Sequence, residues 1–185
     1  MIKKQNYLKH AIVLFLLLLL MQPERALAAY ENIEFSSLTN HDGLTNSQVG
    51  AILKDTRGYI WFGTQSGLCR FDGFRMKTFF YSNTDDKSLP NNSVDELQQD
   101  YDGNIWVHTS VGYSIYKYDE EQFDRKPEEW LKDIHVQGPP YKLLIDKDKN
   151  MWIAVYGQGL YYHNAKTRNT YLFKFTKKAQ PGCLK

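Results

Sequence analysis

A segment of about 45 residues occurs three times in this chain, and this repetition limits the possible folds more than any other feature. The copies are anchored by three tryptophans, separated by 45 and 46 residues: Trp61, Trp106 and Trp152. An aspartate precedes each tryptophan by six residues: Asp55, Asp100 and Asp146. Helical periodicity is confined to one short segment, residues 127–133. The repeated unit is therefore predicted to consist of β-strands.

Within the first copy, four short apolar runs are separated by turn residues. The predicted strands cover residues 49–54, 59–64, 68–71 and 75–81. The intervening segments are rich in Gly, Asp and Ser, which tight hairpin turns prefer. A four-stranded unit of this length is typical of a propeller blade. We therefore predict an all-β fold of about three four-stranded antiparallel β-propeller blades in an incomplete ring.

The residues of the copies resemble the two-component regulator propeller repeat. That pattern is Leu-x-Asn-x-x-Val, then Asp-x-x-Gly-x-Ile-Trp-x-Gly-Thr, then Gly-Leu-x-x-Phe-Asp. The first copy matches it at Leu44, Asn46, Val49, Asp55, Gly58, Ile60, Trp61, Gly63, Thr64, Gly67, Leu68, Phe71 and Asp72. The second copy has His108 in place of the second glycine, and the third has Lys149 at the turn glycine. The resemblance covers roughly residues 33–175.

The resemblance implies a function. Relatives with a signal peptide before such blades are typically periplasmic sensor halves of hybrid two-component systems, and those of gut Bacteroidetes often detect oligosaccharides. The ligand expected for the parent sensor is thus an oligosaccharide or another small molecule. The kinase parts that the family implies do not occur in this sequence, so no enzymatic activity and no cofactor are expected.

The N-terminal residues have the three parts of a secretory signal peptide. Lysines precede an apolar run at residues 11–21, and a small-x-small site follows at residues 26–28. Cleavage between Ala28 and Ala29 is predicted. The alternative is an uncleaved membrane anchor, but the run is shorter than the roughly 20 residues that a spanning helix needs. The product is therefore expected to be exported to the periplasm, with the parent anchored in the inner membrane.

The predicted organisation follows from the repeat. It is a signal peptide (residues 1–28), an N-terminal strand and lead-in (29–43), propeller blades 1 (44–88), 2 (89–134) and 3 (135–176), and a tail (177–185). Closed propellers have roughly four to eight blades, so three blades cannot close a ring alone and the product looks truncated. Unpartnered blade faces would expose apolar surface, which makes self-association through the open blade edges a further expectation.

The charge balance excludes one class of protein. Four basic and one acidic residue lie in residues 1–28, which leaves 19 basic and 20 acidic residues after them. A nucleic-acid-binding domain normally has a basic surplus, so no nucleic-acid partner is expected.

Candidate catalytic and metal sites are weak. A residue that recurs at the same offset in every unit serves each unit, so the three aspartates are predicted to cap turns and the three tryptophans to pack between blades. The histidines are scattered, and no metal site is predicted. A fragment of a propeller-fold glycan lyase or hydrolase is kept as an alternative, since paired carboxylates act in such enzymes.

Ligand-binding groups are best sought among residues that break the repeat, because the scaffold does not require them. The candidates are His108, Tyr113, Tyr156 and Gln158, whose aromatic and amide groups suit a neutral sugar. A self-associating interaction module or a non-functional remnant is the remaining alternative.

Overall fold

The computed structural model describes residues 36–174, which form three four-stranded antiparallel sheets. Blade 1 holds β1 (Val49–Lys54), β2 (Ile60–Thr64), β3 (Gly67–Phe71) and β4 (Met76–Phe79). Blade 2 holds β5 (Val94–Gln99), β6 (Ile105–Thr109), β7 (Gly112–Lys117) and β8 (Gln122–Asp124). Blade 3 holds β9 (Pro140–Ile145), β10 (Met151–Val155), β11 (Gly159–His163) and β12 (Thr170–Phe173). The all-β fold of three four-stranded blades is confirmed.

Two short helical elements accompany the sheets: a 3-10 turn at Asn40–Asp42 and the helix α1 (Pro127–Asp133). Within residues 36–174, no helix combines the length and apolar character needed to span a bilayer. The signal peptide, its cleavage site at Ala28 and Ala29, and the tail from residue 177 lie outside the described residues.

The first two strands of each blade are joined by the same tight turn. In blade 1, Gly58 takes a φ of 93°, a backbone conformation that costs glycine nothing. In blade 3 the same position is Lys149, which takes a φ of 66°. The turn is kept, since the Lys149 amide donates a hydrogen bond to the Asp146 carbonyl at 2.9 Å, and the Lys149 ammonium group donates to the Gln99 carbonyl of blade 2 at 3.0 Å.

The three blades are stacked through their faces, and two apolar clusters fill the two junctions. Between blades 1 and 2, Trp61 and Phe79 of one sheet meet Ile105 and Tyr116 of the next. Between blades 2 and 3, Trp106 lies in one cluster with residues of β10 and β11, and Leu131 of α1 belongs to the same cluster. We call the face of a blade that carries the tryptophan its rear face and the opposite one its front face.

The two outermost faces differ from these junctions. Ile52, on the front face of blade 1, is 67% exposed, whereas its counterpart Leu97 in blade 2 is 8% exposed. On the rear face of blade 3, Trp152 is half-buried, whereas Trp61 and Trp106 are fully buried. The nearly continuous apolar run at residues 51–53 of β1 predicts a strand that is buried on both faces. That expectation is wrong for its front face, because within the described residues no sheet lies in front of blade 1.

Candidate functional site

The recurring aspartates lie at the turns between the first two strands of each blade. Asp55 accepts hydrogen bonds from the amides of Arg57 and Tyr59 at 2.9 and 3.0 Å, and from Trp61 Nε1 at 2.7 Å. Asp100 is bonded in the same way to the Asp102 and Asn104 amides and to Trp106 Nε1. One carboxylate thus closes a hairpin and orients the tryptophan that packs against the next blade.

The third aspartate shows what the neighbouring blade contributes. Asp100 is 1% exposed, and burial raises its pKa despite the hydrogen bonds from Asn104 and Trp106. Asp146 makes equivalent bonds to the Asp148 and Asn150 amides but is only half-buried. Burial opposes ionisation there as well, yet the hydrogen bonds from Asn150 prevail and lower the pKa of Asp146. The two carboxylates thus differ in how far they are buried.

The first strand of each of the three blades (β1, β5 and β9) has a β-bulge near its beginning. The register shifts between strands leave one unpaired residue in each blade: Gly50, Asp95 and Tyr141. These positions are 45 and 46 residues apart, as the tryptophans are. Bulges re-aim side chains and are frequent beside binding sites. We call these three positions the bulge row.

Two of the four predicted ligand-binding residues meet beside the bulge row. The rings of His108 and Tyr113 lie 4.4 Å apart, and His108 Nδ1 is 2.6 Å from Asp95 Oδ1. In blade 1 the position of His108 is Gly63, where an added Cβ would come within 2.7 Å of Val94. Blade 2 has His108 at this position. The residue at the start of blade 3 that corresponds to Val94 of blade 2 is Pro140.

Polar groups surround Tyr113 at the junction between blades 2 and 3. Its hydroxyl donates to Glu96 Oε2 and accepts from the Leu143 amide, both at 3.0 Å. Burial raises the pKa of Tyr113, the Leu143 amide lowers it, and the Glu96 carboxylate raises it further. Lys142 donates to the same Glu96 oxygen at 2.7 Å. Tyr113 is therefore a neutral hydrogen-bonding group at neutral pH and is held in a fixed orientation.

The other two predicted residues lie on the corresponding end of blade 3. Tyr156 is 92% exposed at the turn between β10 and β11. Gln158 donates to the Gln137 carbonyl at 2.9 Å and accepts from the Tyr161 hydroxyl at 2.5 Å. It lines a surface depression of about 580 Å³ together with His135, Thr170 and Lys174. Within residues 36–174, the side-chain hydrogen bonds of Gln158 go to Gln137 and Tyr161 and not to His108.

Sequence reasoning missed Asp95, Glu96 and Lys142. A comparison of the copies could have identified these positions, since the first copy has Gly50-Ala51 where the second has the acidic pair Asp95-Glu96. Among residues 36–174, no three His, Cys, Asp or Glu side chains are grouped in a way that could hold a metal ion. The polar groups available at this end of the blades are suited to hydrogen bonding.

A comparison with known families matches two of the three copies of the repeat. The family model described as Two component regulator propeller matches residues 43–66 and 88–110, which contain the first two Asp–Trp pairs. Over these two segments the chain is similar to the two-component regulator propeller repeat. Histidine kinase P4 of Formosa agariphila is 39% identical over 62 residues, which cover 34% of this chain and 4% of that protein.

Two chains of known structure from B. thetaiotaomicron were also found, each described as the extracellular domain of a putative hybrid two-component system. One is 18% identical with a TM-score of 0.36 and covers 75% of this chain and 26% of its own length. The other is 18% identical with a TM-score of 0.42 and covers 75% and 27%. The chain thus spans about a quarter of these structures.

Residues of the repeat pattern make hydrogen bonds at the turns of the blades. The side-chain oxygens of Asn46 and Asn91 each accept a hydrogen bond, at 2.8 Å, from the backbone amide two residues later. These bonds lie just before the first strand of each blade begins. Thr64 and Thr109 donate to the carbonyls of Gly67 and Gly112, across the turn between the second and third strands. These pattern residues therefore hold the turns of the blade.

Proposed function

We propose that this chain is the ligand-sensing propeller segment of an exported hybrid two-component sensor and that its parent detects a carbohydrate. The match of residues 43–66 and 88–110 to the two-component regulator propeller carries this proposal. Support for an exported, periplasmic location comes from the signal-peptide pattern of residues 1–28.

The proposed ligand-binding end of the blades is the one that carries the bulge row. Asp95, His108 and Tyr141 lie there in blades 2 and 3, as do Tyr156 and Gln158. Sugars are recognised by aromatic faces together with hydrogen-bonding side chains. Tyr141 and Tyr156 are 74% and 92% exposed, so their rings are accessible to a ligand.

A binding role is favoured over catalysis. Asp55 and Asp100 are engaged by turn amides and tryptophan side chains, as described above. A general acid or base must reach the bond that it cleaves, and these carboxylates are 5% and 1% exposed. We therefore propose that this segment recognises its ligand without transforming it.

The test is ligand binding measured on the purified chain. Neutral oligosaccharides of several linkage types are titrated by calorimetry into the wild-type protein and into two variants, Tyr156→Ala and His108→Ala. We expect a saccharide that binds the wild-type protein to lose at least about tenfold in affinity in one of these variants, which corresponds to about 1.4 kcal/mol.

Phe74→Ala is the matched control. Phe74 is 94% exposed, like Tyr156, but lies at the turn between β3 and β4, at the other end of its blade. Its removal should leave the affinity unchanged. Equal losses in the Phe74 and Tyr156 variants, or turnover of the bound saccharide, would contradict the proposal.

A further inference from the structure

A depression of about 360 Å³ lies in the junction between blades 2 and 3, at the end of the blades opposite the bulge row. Its walls come from the turn after β5, from α1 and from the hairpin between β11 and β12. The lining includes Tyr101, Asp102, Trp130, Asp133, His163 and Arg168. The two blades that frame it are both described, so the depression does not depend on what covers the outer faces of blades 1 and 3.

His163 makes this junction different from the one between blades 1 and 2. By repeat position, His163 corresponds to Tyr116 of blade 2. Tyr116 is fully buried against Trp61, and its hydroxyl accepts a hydrogen bond from Arg70 at 3.1 Å. His163 is also fully buried, but its side chain is shorter, and within residues 36–174 its Nε2 atom has no hydrogen-bond partner.

This nitrogen is a hydrogen-bond acceptor. Thr170 Oγ1 donates to the Ile134 carbonyl at 2.5 Å, so it accepts its other bond, at 2.8 Å, from His163 Nδ1. Burial and the Arg168 charge lower the pKa of His163, which keeps the ring neutral at neutral pH. The proton is therefore on Nδ1, and Nε2 carries the lone pair. A buried acceptor without a partner is costly, so a ligand that donates to Nε2 gains affinity.

Tyr101 and Trp130 form an aromatic wall of the depression. Both rings are half-buried, and their centroids lie 6.0 Å apart. The Arg168 guanidinium lies over the Tyr101 ring at 3.8 Å, so one ring of this wall already holds a cation. Trp130 packs edge-on against the buried Trp106 at 5.3 Å, which fixes its orientation. Among aromatic side chains, tryptophan attracts cations most strongly.

The charges around the depression also favour a cation. Asp102 Oδ1 is paired with Arg168 at 3.2 Å. Within the described part of the chain, no basic side chain forms an ion pair with Asp133, the last residue of α1. Because His163 is neutral, the residues that line the depression carry one excess negative charge.

We propose that this depression binds a small organic ammonium ion. The ammonium group donates a hydrogen bond to His163 Nε2, the Asp133 carboxylate compensates its charge, and the carbon part of the ligand packs against Trp130. The volume is near the lower end of the roughly 300–1,000 Å³ of small-molecule pockets, which suits a small ligand. The site lies at the other end of the blades from the proposed carbohydrate site, so the inference does not depend on that proposal.

The test compares two probes of the same shape, benzylammonium and benzyl alcohol. Each is titrated into the purified full chain at neutral pH and followed by calorimetry and by nitrogen NMR of the histidine side chains. The ammonium probe should bind at least about tenfold more tightly than the alcohol, because a charged donor makes the stronger hydrogen bond. It should also shift the resonance of His163 Nε2, which accepts that bond.

Two variants separate the contacts. His163→Phe removes the acceptor and should lower the affinity for benzylammonium at least about tenfold. Blade 1 has Phe71 at the corresponding strand position. Asp133→Asn changes an exposed residue and should lower the affinity several-fold through its charge alone. Glu129→Gln, the matched control, makes the same change of charge at another exposed position of α1 and should leave the affinity unchanged.

Several results would overturn the proposal. Failure of benzylammonium to bind at millimolar concentration would exclude a site for such cations, and equal affinities for the two probes would exclude recognition of the charge. An affinity unchanged in both His163→Phe and Asp133→Asn, or lowered equally by Glu129→Gln, would place the bound cation elsewhere. Circular dichroism verifies that each variant is folded. If His163→Phe does not fold, Asp133→Asn and the His163 Nε2 resonance of the wild type give the answer.

Discussion

Trp61 Nε1 donates a hydrogen bond to Asp55 Oδ2 at 2.7 Å, and both residues are buried where blade 1 meets blade 2. The Tyr118 hydroxyl of blade 2 donates to the same oxygen. A single carboxylate therefore connects a hairpin, an indole and the next blade.

Asp55→Ala should destabilise the protein by about 2–3 kcal/mol, because it leaves buried donors without acceptors. The free energy of unfolding from urea titration measures the loss. Asp146→Ala is the matched control, since Asp146 is half-buried and water can replace it as an acceptor. Its cost should stay below about 1 kcal/mol. Equal losses in the two variants would show that burial by the next blade is not the source of the effect.

Gly63→Ala should destabilise the stack by about 1–3 kcal/mol through overpacking. The added Cβ would lie 2.7 Å from Val94 Cγ1 and 3.2 Å from the Val94 carbonyl oxygen of blade 2. At Gly50 the closest atom to an added Cβ is the Val94 carbonyl oxygen at 3.3 Å, so Gly50→Ala should be tolerated better. Thermal melts of both variants provide the comparison. A Gly63 variant as stable as the wild type would mean that the two blades separate more easily than their packing indicates.

The stability should fall in mild acid because of His163, which is fully buried. The Thr170 hydroxyl donates to the Ile134 carbonyl at 2.5 Å, so it accepts its bond from His163 Nδ1, and Nε2 is left as the unprotonated nitrogen. Burial and the Arg168 charge lower the pKa of His163. As the pH falls below the ordinary value of 6.5, the unfolded state binds the proton first. The contribution of neutral His163 to the free energy of unfolding is therefore complete above that pH and is lost as the pH falls below it.

The measurement is the melting temperature at about pH 7.5 and pH 5, compared between the wild type and His163→Phe. The other titrating groups are common to both proteins, so the difference between the two pH profiles reports His163. The wild type should lose more on acidification than the variant. Parallel profiles would refute this role.

Arg125→Gln should loosen the loop before blade 2. The Arg125 guanidinium donates to the carbonyls of Ser82, Asp85, Ser88 and Leu89 at 3.0–3.3 Å. Glutamine cannot reach four carbonyls at once, so trypsin should cleave after Lys87 several times faster in the variant. Lys126→Gln, an exposed neighbour, should leave this rate unchanged. Mass spectrometry of the digests identifies the cleaved bond.

The repeat allowed much of the blade to be predicted from sequence. The predicted first strand, residues 49–54, is β1 as observed, and the segment at residues 127–133 is α1. Hairpin turns and apolar strands are local properties, so residue types reveal them directly. The exposure of Ile52 and Trp152 is not local, since it depends on whether another sheet covers the face.

The candidate site was only partly predictable for a related reason. His108 and Tyr113 were identified because they depart from the repeat, and the structure places their rings in contact. Asp95 was missed because a bulge shifts the register, and alternation of apolar and polar residues does not show where a strand holds an extra residue.

The bulge row also bears on how such blades diversify. A bulged residue takes no part in the regular pairing of its strand, so its side chain can change while the ladder on either side is kept. The three blades carry Gly50, Asp95 and Tyr141 at this position: no side chain, an acid and an aromatic ring. Each blade thus has one position whose side chain differs among the three copies while the strand pairing on either side of it stays the same.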